Sequence, residues 1–253
     1  MGWSNGCVHG DLCRRIQGFL VTQLKGQARA AYVQQMFGKI APRYDLMNRL
    51  MTGGRDVVWR RIVVREAQLP AGGRLLDIAT GTGDLALEAL RHDADLCAVG
   101  ADFSLEMMLR GRNKPGAERI RWLGADTLAL PFPNDTFDAV TSGFMLRNVI
   151  DVPHSLVEQW RVVKPGGRMV CLEISRPPRN LLLPFYRFYF HRIVPLVGQI
   201  VSGNRSAYTY LPQSADEFLS PDELADLMRQ AGWRDVRYRR LMLGTVAIHS
   251  GVK

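Results

Sequence analysis

The chain has 253 residues, 47% hydrophobic and 23% charged, enough apolar material to bury a core, which excludes a disordered protein. Its 24 Gly and 13 Pro follow no collagen-like period, and no self-similar period marks a solenoid or a propeller. The net charge is +9, and 28 of the 33 basic residues are Arg, a bias toward planar anion recognition that points to an anionic partner or surface.

Residues 1–30 are weakly patterned and read as a loose tail ahead of one domain over 31–253. Arg14 and Arg15 precede only the short patch Ile16, Phe19, Leu20 and Val21, without the apolar stretch and cleavage site of a signal peptide. The four cysteines, Cys7, Cys13, Cys97 and Cys171, show no C-x-x-C pair and no zinc-ligand spacing, so no metal is expected and a reducing cytoplasm is the expected compartment.

Over 31–66 the apolar positions Tyr32, Met36, Phe37, Ile40, then Leu46, Met47, Leu50, Met51, then Val58, Trp59, Ile62, Val63 recur at three and four, which predicts a helical cap. From Gly73 the pattern changes. Short apolar runs at 74–79, 96–101, 120–124, 137–142 and 169–174 alternate with helical candidates at 84–92, 104–113 and 151–163, the signature of an open α/β sheet, mostly parallel. Ligands of such sheets lie beyond the carboxyl ends of the strands, where the strand order reverses.

Residues 174–215 contain no Asp or Glu but carry Arg176, Arg179, Arg187, Arg192 and Arg205 among many aromatics, and 176–215 reads as a helical lid that takes an acceptor. Its most hydrophobic part, 181–201, is interrupted by Pro184, Arg187, His191, Arg192 and Pro195, so no spanning helix is expected. Ser220-Pro221-Asp222-Glu223 predicts a capped helix start, with a stop at Gly232. Two strand-like runs, 234–243 and 245–252, then close the chain as an antiparallel hairpin around Gly244.

The strongest local signal is the apolar run Leu75-Leu76-Asp77-Ile78-Ala79 entering the turn Thr80-Gly81-Thr82-Gly83-Asp84. Gly81 and Gly83 allow a sharp turn and close ligand approach, and Asp102, 21 residues past Gly81, is placed to accept both hydroxyls of a ribose. A dinucleotide reading is formally met by Gly81-x-Gly83-x-x-Ala86. Against it, Asp77, Asp126 and the terminal hairpin favour S-adenosylmethionine, whose sulfonium half carries no phosphate to be repelled by carboxylates.

Asp77 to Asp84, Gly124-Ala125-Asp126, Leu130-Pro131-Phe132, Phe137-Asp138 and Lys164-Pro165-Gly166-Gly167 resemble class I S-adenosylmethionine-dependent methyltransferases. More narrowly, the segment from Met36 to Asn48, Phe144-Met145-Leu146-Arg147-Asn148-Val149, and the segment from Ala207 to Ser214 resemble the quinone C-methyltransferases of menaquinone and ubiquinone biosynthesis. The resemblance runs from about Tyr32 to the C-terminus. It implies a Rossmann-like sheet with a helical cap and a lid insertion, and cofactor contacts at Thr82, Asp102, Asp126, Thr127 and Gly143, beside Asp77, Gly81 and Gly83 of the turn. Two departures stand out: Met145 replaces the Gly of the family's Phe-Gly-Leu-Arg-Asn, and Asp126 stands where an amide is commoner.

The implied reaction is C-methylation of a polyprenylated quinol, demethylmenaquinol to menaquinol, with a ubiquinone precursor or another small aromatic acceptor as alternatives. Such a ring is nucleophilic as its phenolate, and Arg147 is the expected donor to the oxyanion. Tyr44, Asn148 and His191 come next, with His191 or an ordered water as proton acceptor. The plainer readings pair Arg147 with Asp151, make Asn148 a turn residue, put Tyr44 in the core and pack His191 among aromatics. The lid suits contact with an anionic membrane from the cytoplasmic side, a homodimer face, or simply a solvated surface. An RNA-binding protein or RNA methyltransferase, suggested by the charge, lacks a base-flipping block or RNA-binding module in the sequence, and no nucleic acid partner is expected.

Overall fold

The computed structural model describes residues 26–176 and 183–253. Residues 1–25 of the expected tail, and Arg179 of the lid, lie outside the described residues. Helix α1 spans Gly26–Ile40, so helical structure begins five residues ahead of the expected boundary at 31. After Pro42, α2 (Tyr44–Thr52) ends on Gly53 at φ 59°, and α3 (Arg55–Ala67) lays Trp59, Ile62, Val63 and Ala67 into the core.

The alternating region folds as read. β1 (Arg74–Ile78), α4 (Asp84–His92), β2 (Cys97–Asp102), α5 (Leu105–Gly111), β3 (Ile120–Gly124), β4 (Phe137–Gly143), α6 (Val152–Val162) and β5 (Val163–Ile174) follow in order. Then come the lid helices α7 (Leu183–Phe188), α8 (Val194–Ser202) and α9 (Arg205–Glu217), and finally α10 (Pro221–Gln230), β6 (Arg234–Leu241) and β7 (Val246–Val252). The sheet order is β3-β2-β1-β4-β5-β7-β6, parallel except for β7, which runs antiparallel to both β5 and β6. Strand order reverses at β1 and β4, which opens the crevice at their carboxyl ends.

Both sheet faces are covered, which explains why the central strands read as continuous apolar runs rather than alternating ones. Leu75, Ala98, Ala139 and Val170 pack under α3 and α4, while Leu76, Val99, Val140 and Met169 pack under α6 and α10. Lys164-Pro165-Gly166-Gly167, read as a turn before the fifth strand, loops out within β5: pairing with β4 jumps from Phe137–Val163 to Ala139–Arg168. Helix α10 carries the expected capping box, with Ser220 Oγ accepting from the Glu223 amide (3.3 Å) and Glu223 Oε2 accepting from the Ser220 amide (2.7 Å).

A third apolar cluster joins cap to lid: Val33, Met36, Ile40 and Met47 pack against Phe190, Val194, Ala207, Tyr208 and Tyr210. A π turn over Tyr189–Ile193 connects α7 to α8, next to Pro195, which has no amide hydrogen to donate back to His191. Helices α8 and α9 cross at Gly198, where an added Cβ would run into the Tyr208 ring. Gly198→Ala is therefore expected to lower stability by about 1–3 kcal/mol through overpacking, read as a reduced urea midpoint; an unchanged midpoint would show that the lid does not pack this way.

Candidate active site

The turn after β1 is held by backbone geometry. Gly81 (φ 57°) presents its amide to Asp102 Oδ2 at 2.7 Å, and the Ser104 amide donates to Asp102 Oδ1 at 2.8 Å. Asp102 is thereby fixed at the end of β2. Burial pushes its carboxyl above the ordinary range, against the pull of these amides. It faces a cavity of about 860 Å³ that Gly81, Met107, Asp126, Thr127, Gly143 and Met145 also line. A Cβ on Gly81 would come within 3.2 Å of Met107 Cε, and one on Gly143 within 3.3 Å of Leu85 Cδ1, so bare backbone keeps room along the floor. Asp126 accepts from the Leu128 amide at 3.0 Å, and the Thr127 and Ser155 hydroxyls share a 2.7 Å hydrogen bond.

Beside this cavity a smaller one, of about 450 Å³, is lined by Arg60, Asp77, Thr82 and Asp84. Asp77 accepts from the Thr80 hydroxyl at 2.6 Å and the Thr141 hydroxyl at 3.0 Å, yet its near-complete burial raises its pKa from 3.8 to about 7. The Thr82 hydroxyl donates to Asp45 Oδ1 (2.7 Å) and accepts from Lys114 Nζ (2.8 Å). Lys114 also pairs with Asp45 (2.7 Å) and Asp84 (2.5 Å), and Arg60 bridges Asp84 and Asp56. Thr82 thus joins the turn to α2 of the cap. Gly83 lines none of these cavities; its missing Cβ makes room for Trp122, whose Cη2 would otherwise stand 2.6 Å away.

An aromatic cavity of about 890 Å³ lies between cap and lid, walled by Tyr186, Tyr189, Phe190, Tyr208 and Tyr210 on the lid side. Phe37, Tyr44 and Phe144 line both it and the Asp102 cavity, so the two spaces share an aromatic wall. Phe144 is bent into the left-handed region (φ 59°), its amide donating to Leu172 O at 2.7 Å. Burial raises the Tyr44 hydroxyl pKa above its usual 10.0.

Arg147 lines the aromatic cavity and is only 6% exposed. Its Nη1 donates to Glu173 Oε1 (2.6 Å) and to Phe144 O (2.9 Å), while its buried Nε has no partner. Asp151, the plainer sequence partner, instead caps α6 by accepting from the His154 amide at 3.0 Å. Asn148 donates to Phe144 O (3.2 Å) and accepts from the Tyr210 hydroxyl (3.1 Å), linking lid to wall. His191 is not among the cavity residues: it lies half-buried, its Nε2 3.0 Å from Asp216 Oδ2. Tyr44, Arg147 and Asn148 are therefore brought together and His191 is not. Sequence reading missed Glu173, whose only signal was an acid at the end of an apolar strand, and Lys114 and Arg60, which carried no motif; Asp45 lay within the Met36–Asn48 block but without a partner in view.

The carboxylates Asp102 and Asp126 beside an apolar floor suit a nucleoside, and the neighbouring Arg60, Asp77 and Asp84 suit the charged groups of an amino acid. These residues fit S-adenosylmethionine. The model of the ubiE/COQ5 methyltransferase family matches residues 23–253. Relatives include the demethylmenaquinone methyltransferase of Roseiflexus castenholzii, 49% identical over 89% of this chain and 94% of that protein. Another is the ubiquinone/menaquinone biosynthesis C-methyltransferase of Desulfotalea psychrophila, 47% identical over 87% and 90%. In fold, the chain is similar to an S-adenosylmethionine-dependent methyltransferase structure from Thermotoga maritima (TM-score 0.61, 20% identity, 87% of this chain and 98% of that one). It is also similar to the [4+2]-cyclase SpnF (TM-score 0.65, 17% identity, 87% and 94%).

The raised Asp77 pKa sets a pH dependence. Between its unfolded value of 3.8 and its folded value of about 7, the folded state keeps a proton that the unfolded chain has lost, so stability falls as pH rises through that window and stays low above it. Asp77→Asn removes this loss and is expected to stabilise the fold at pH 8 relative to pH 4, by on the order of 4 kcal/mol at most. Thermal melts of both proteins from pH 4 to 8 check this; a pH-independent difference between them would refute it.

Proposed function

The chain belongs to the ubiE/COQ5 methyltransferase family and carries out S-adenosylmethionine-dependent C-methylation in menaquinone biosynthesis; from that premise we propose that demethylmenaquinol is methylated in the aromatic cavity, its ring oxygen held by Arg147. The observation that carries this reading is the buried Arg147 guanidinium, fixed by Glu173 and lining the aromatic cavity beside the wall shared with the nucleoside cavity. A guanidinium held in place at a cavity wall is a preorganised donor to a developing ring oxyanion.

When bound, S-adenosylmethionine supplies an electrophilic methyl group. Asp102 accepts from ribose hydroxyls, Asp126 and Thr127 flank the base, and Arg60 and Asp77 receive the carboxylate and ammonium groups of the methionine half. Arg147 favours loss of the ring hydroxyl proton by stabilising the resulting charge, and Glu173 fixes the guanidinium. With His191 outside the cavity lining, the hydroxyl proton passes to water, and the proton given up by the methylated ring carbon restores the ring hydroxyl. Tyr44, Phe37 and Phe144 hold the flat ring against the shared wall, so alignment contributes to rate.

The lid presents exposed Phe185, Phe188, Leu196 and Ile200 beside exposed Arg187 and Arg192, with no acid from 174 to 215. No helix among the described residues is long and apolar enough to cross a membrane. This face lies against an anionic bilayer, which delivers a membrane-dissolved acceptor.

Incubating the protein with methyl-labelled S-adenosylmethionine and reduced demethylmenaquinone in detergent is expected to label the naphthoquinol ring carbon, in excess over a methoxybenzoquinol precursor alongside; no label on either refutes the reading. Exchanging Arg147→Met together with Glu173→Gln avoids stranding a buried carboxylate, and is expected to cut turnover roughly 100-fold or more with cofactor affinity retained. Asp102→Asn is expected to weaken cofactor binding roughly tenfold or more by calorimetry, and unchanged affinity would remove the ribose assignment. Phe185→Glu with Ile200→Glu is expected to abolish sedimentation with phosphatidylglycerol vesicles. A dimer that this pair of changes splits, without any vesicle binding by the unaltered protein, would show that the face meets a second copy instead.

A further inference from the structure

We propose that the β6–β7 turn is the lip over which the prenyl tail of the acceptor leaves the aromatic cavity, with Leu243 in contact with that tail. The inference rests on the quinol reading above and adds where the tail runs and which residue senses it.

The ladder between β6 and β7 closes at Leu241 and Val246, and the connecting residues Met242 (φ 46°), Leu243 (φ 57°) and Gly244 (φ 88°) all stand in the left-handed region. Hairpin turns with such angles ordinarily use Asn, Asp or Gly, because a larger side chain there strains the backbone. Two of the three positions here are large and apolar. Packing does not explain them: Leu243 is 71% exposed and belongs to none of the core clusters. Strain kept together with solvent-facing apolar surface marks a segment held for contact with something outside the fold.

Its place identifies the contact. Of the described residues lining the aromatic cavity, Met242 is the exposed one, so the cavity opens at this turn. Met242 lines the aromatic cavity alone, whereas Phe144, Tyr44 and Phe37 line the nucleoside side as well. A ring held at the shared wall beside Arg147 therefore sends its substituent toward Met242, through a cavity also lined by Tyr186 and Tyr189 of the lid, Thr245 of the turn and Val246 of β7. Leu243 extends that apolar path outward. The ligand chemistry is a branched hydrocarbon chain, which needs no hydrogen-bonding partner and finds none offered along this path by Met242 or Leu243.

The test compares kcat/KM for reduced demethylmenaquinone bearing two isoprene units with that for the same naphthoquinol without a chain. The unaltered protein is expected to prefer the prenylated acceptor. Leu243→Gly is expected to shrink that preference roughly tenfold through KM, with kcat on the chain-free acceptor unchanged, while thermal stability rises because Gly adopts the turn without strain. Leu243→Asn, also at ease in this backbone region, is expected to behave alike, and Leu243→Phe to keep the preference. An unchanged preference in Leu243→Gly and Leu243→Asn overturns the proposal. Absence of methylation of either acceptor by the unaltered protein overturns the quinol reading itself.

Discussion

The buried pair of Arg147 and Glu173 is the constraint on which the site depends. A guanidinium removed from water is tolerated only with a charged partner and well-made hydrogen bonds, and Glu173, at the end of β5, supplies both. Its two oxygens also accept from the Arg147 and Ile174 amides, so one carboxylate fixes the side chain and the backbone around it. Arg147 in turn holds Phe144 O, and Phe144 is the residue bent into the left-handed region to form the wall between two cavities. One ion pair thus sets the orientation of the cationic donor at the wall of the aromatic cavity.

The wall is useful only if the cap stays over it, and the cap is tied down by charge rather than by apolar burial alone. Asp45, Lys114, Asp84, Arg60 and Asp56 form a chain of ion pairs from α2 to the turn after β1. These side chains are partly buried, so solvent screens them less than free surface pairs. The two nearby arginine and lysine cations hold the Asp84 carboxyl below its ordinary range despite its burial. Arg29 of α1 adds a 2.8 Å hydrogen bond to the Arg147 carbonyl, connecting the cap to the acceptor side as well.

Much of the fold was legible because local and global signals agree. The runs at 74–79 and 137–142 are mostly apolar where two covered faces require it, with Asp77, Thr141 and Ser142 as buried polar exceptions toward the carboxyl ends, and Ser220 to Glu223 encodes a cap within four residues. What was not legible depends on distant partners. Nothing near Lys114 in sequence announces Asp45, and nothing near Arg147 announces Glu173, 26 residues on. Thr82 and Gly83 belong to one motif by spacing, but the fold turns the first toward the cap and the second against Trp122. His191 was drawn in by the proton-accepting chemistry of an imidazole; the π turn and the pairing with Asp216 set it apart from the cavity.

The Met145 departure changes meaning once its surroundings are known. As a sequence feature it bore on the acceptor, because it interrupts the Phe-Gly-Leu-Arg-Asn block. In the fold Met145 is buried and lines the Asp102 cavity beside Gly143 and Asn148, and it does not line the aromatic one. Its thioether side chain is flexible and polarisable, so it fills space against a flat ligand without fixing a single shape. The added volume is therefore felt on the nucleoside side of the wall. The other cavity, walled by the lid tyrosines, Phe190 and Met242, does not include Met145 among its lining residues, so the departure leaves that cavity's shape to its own aromatic side chains.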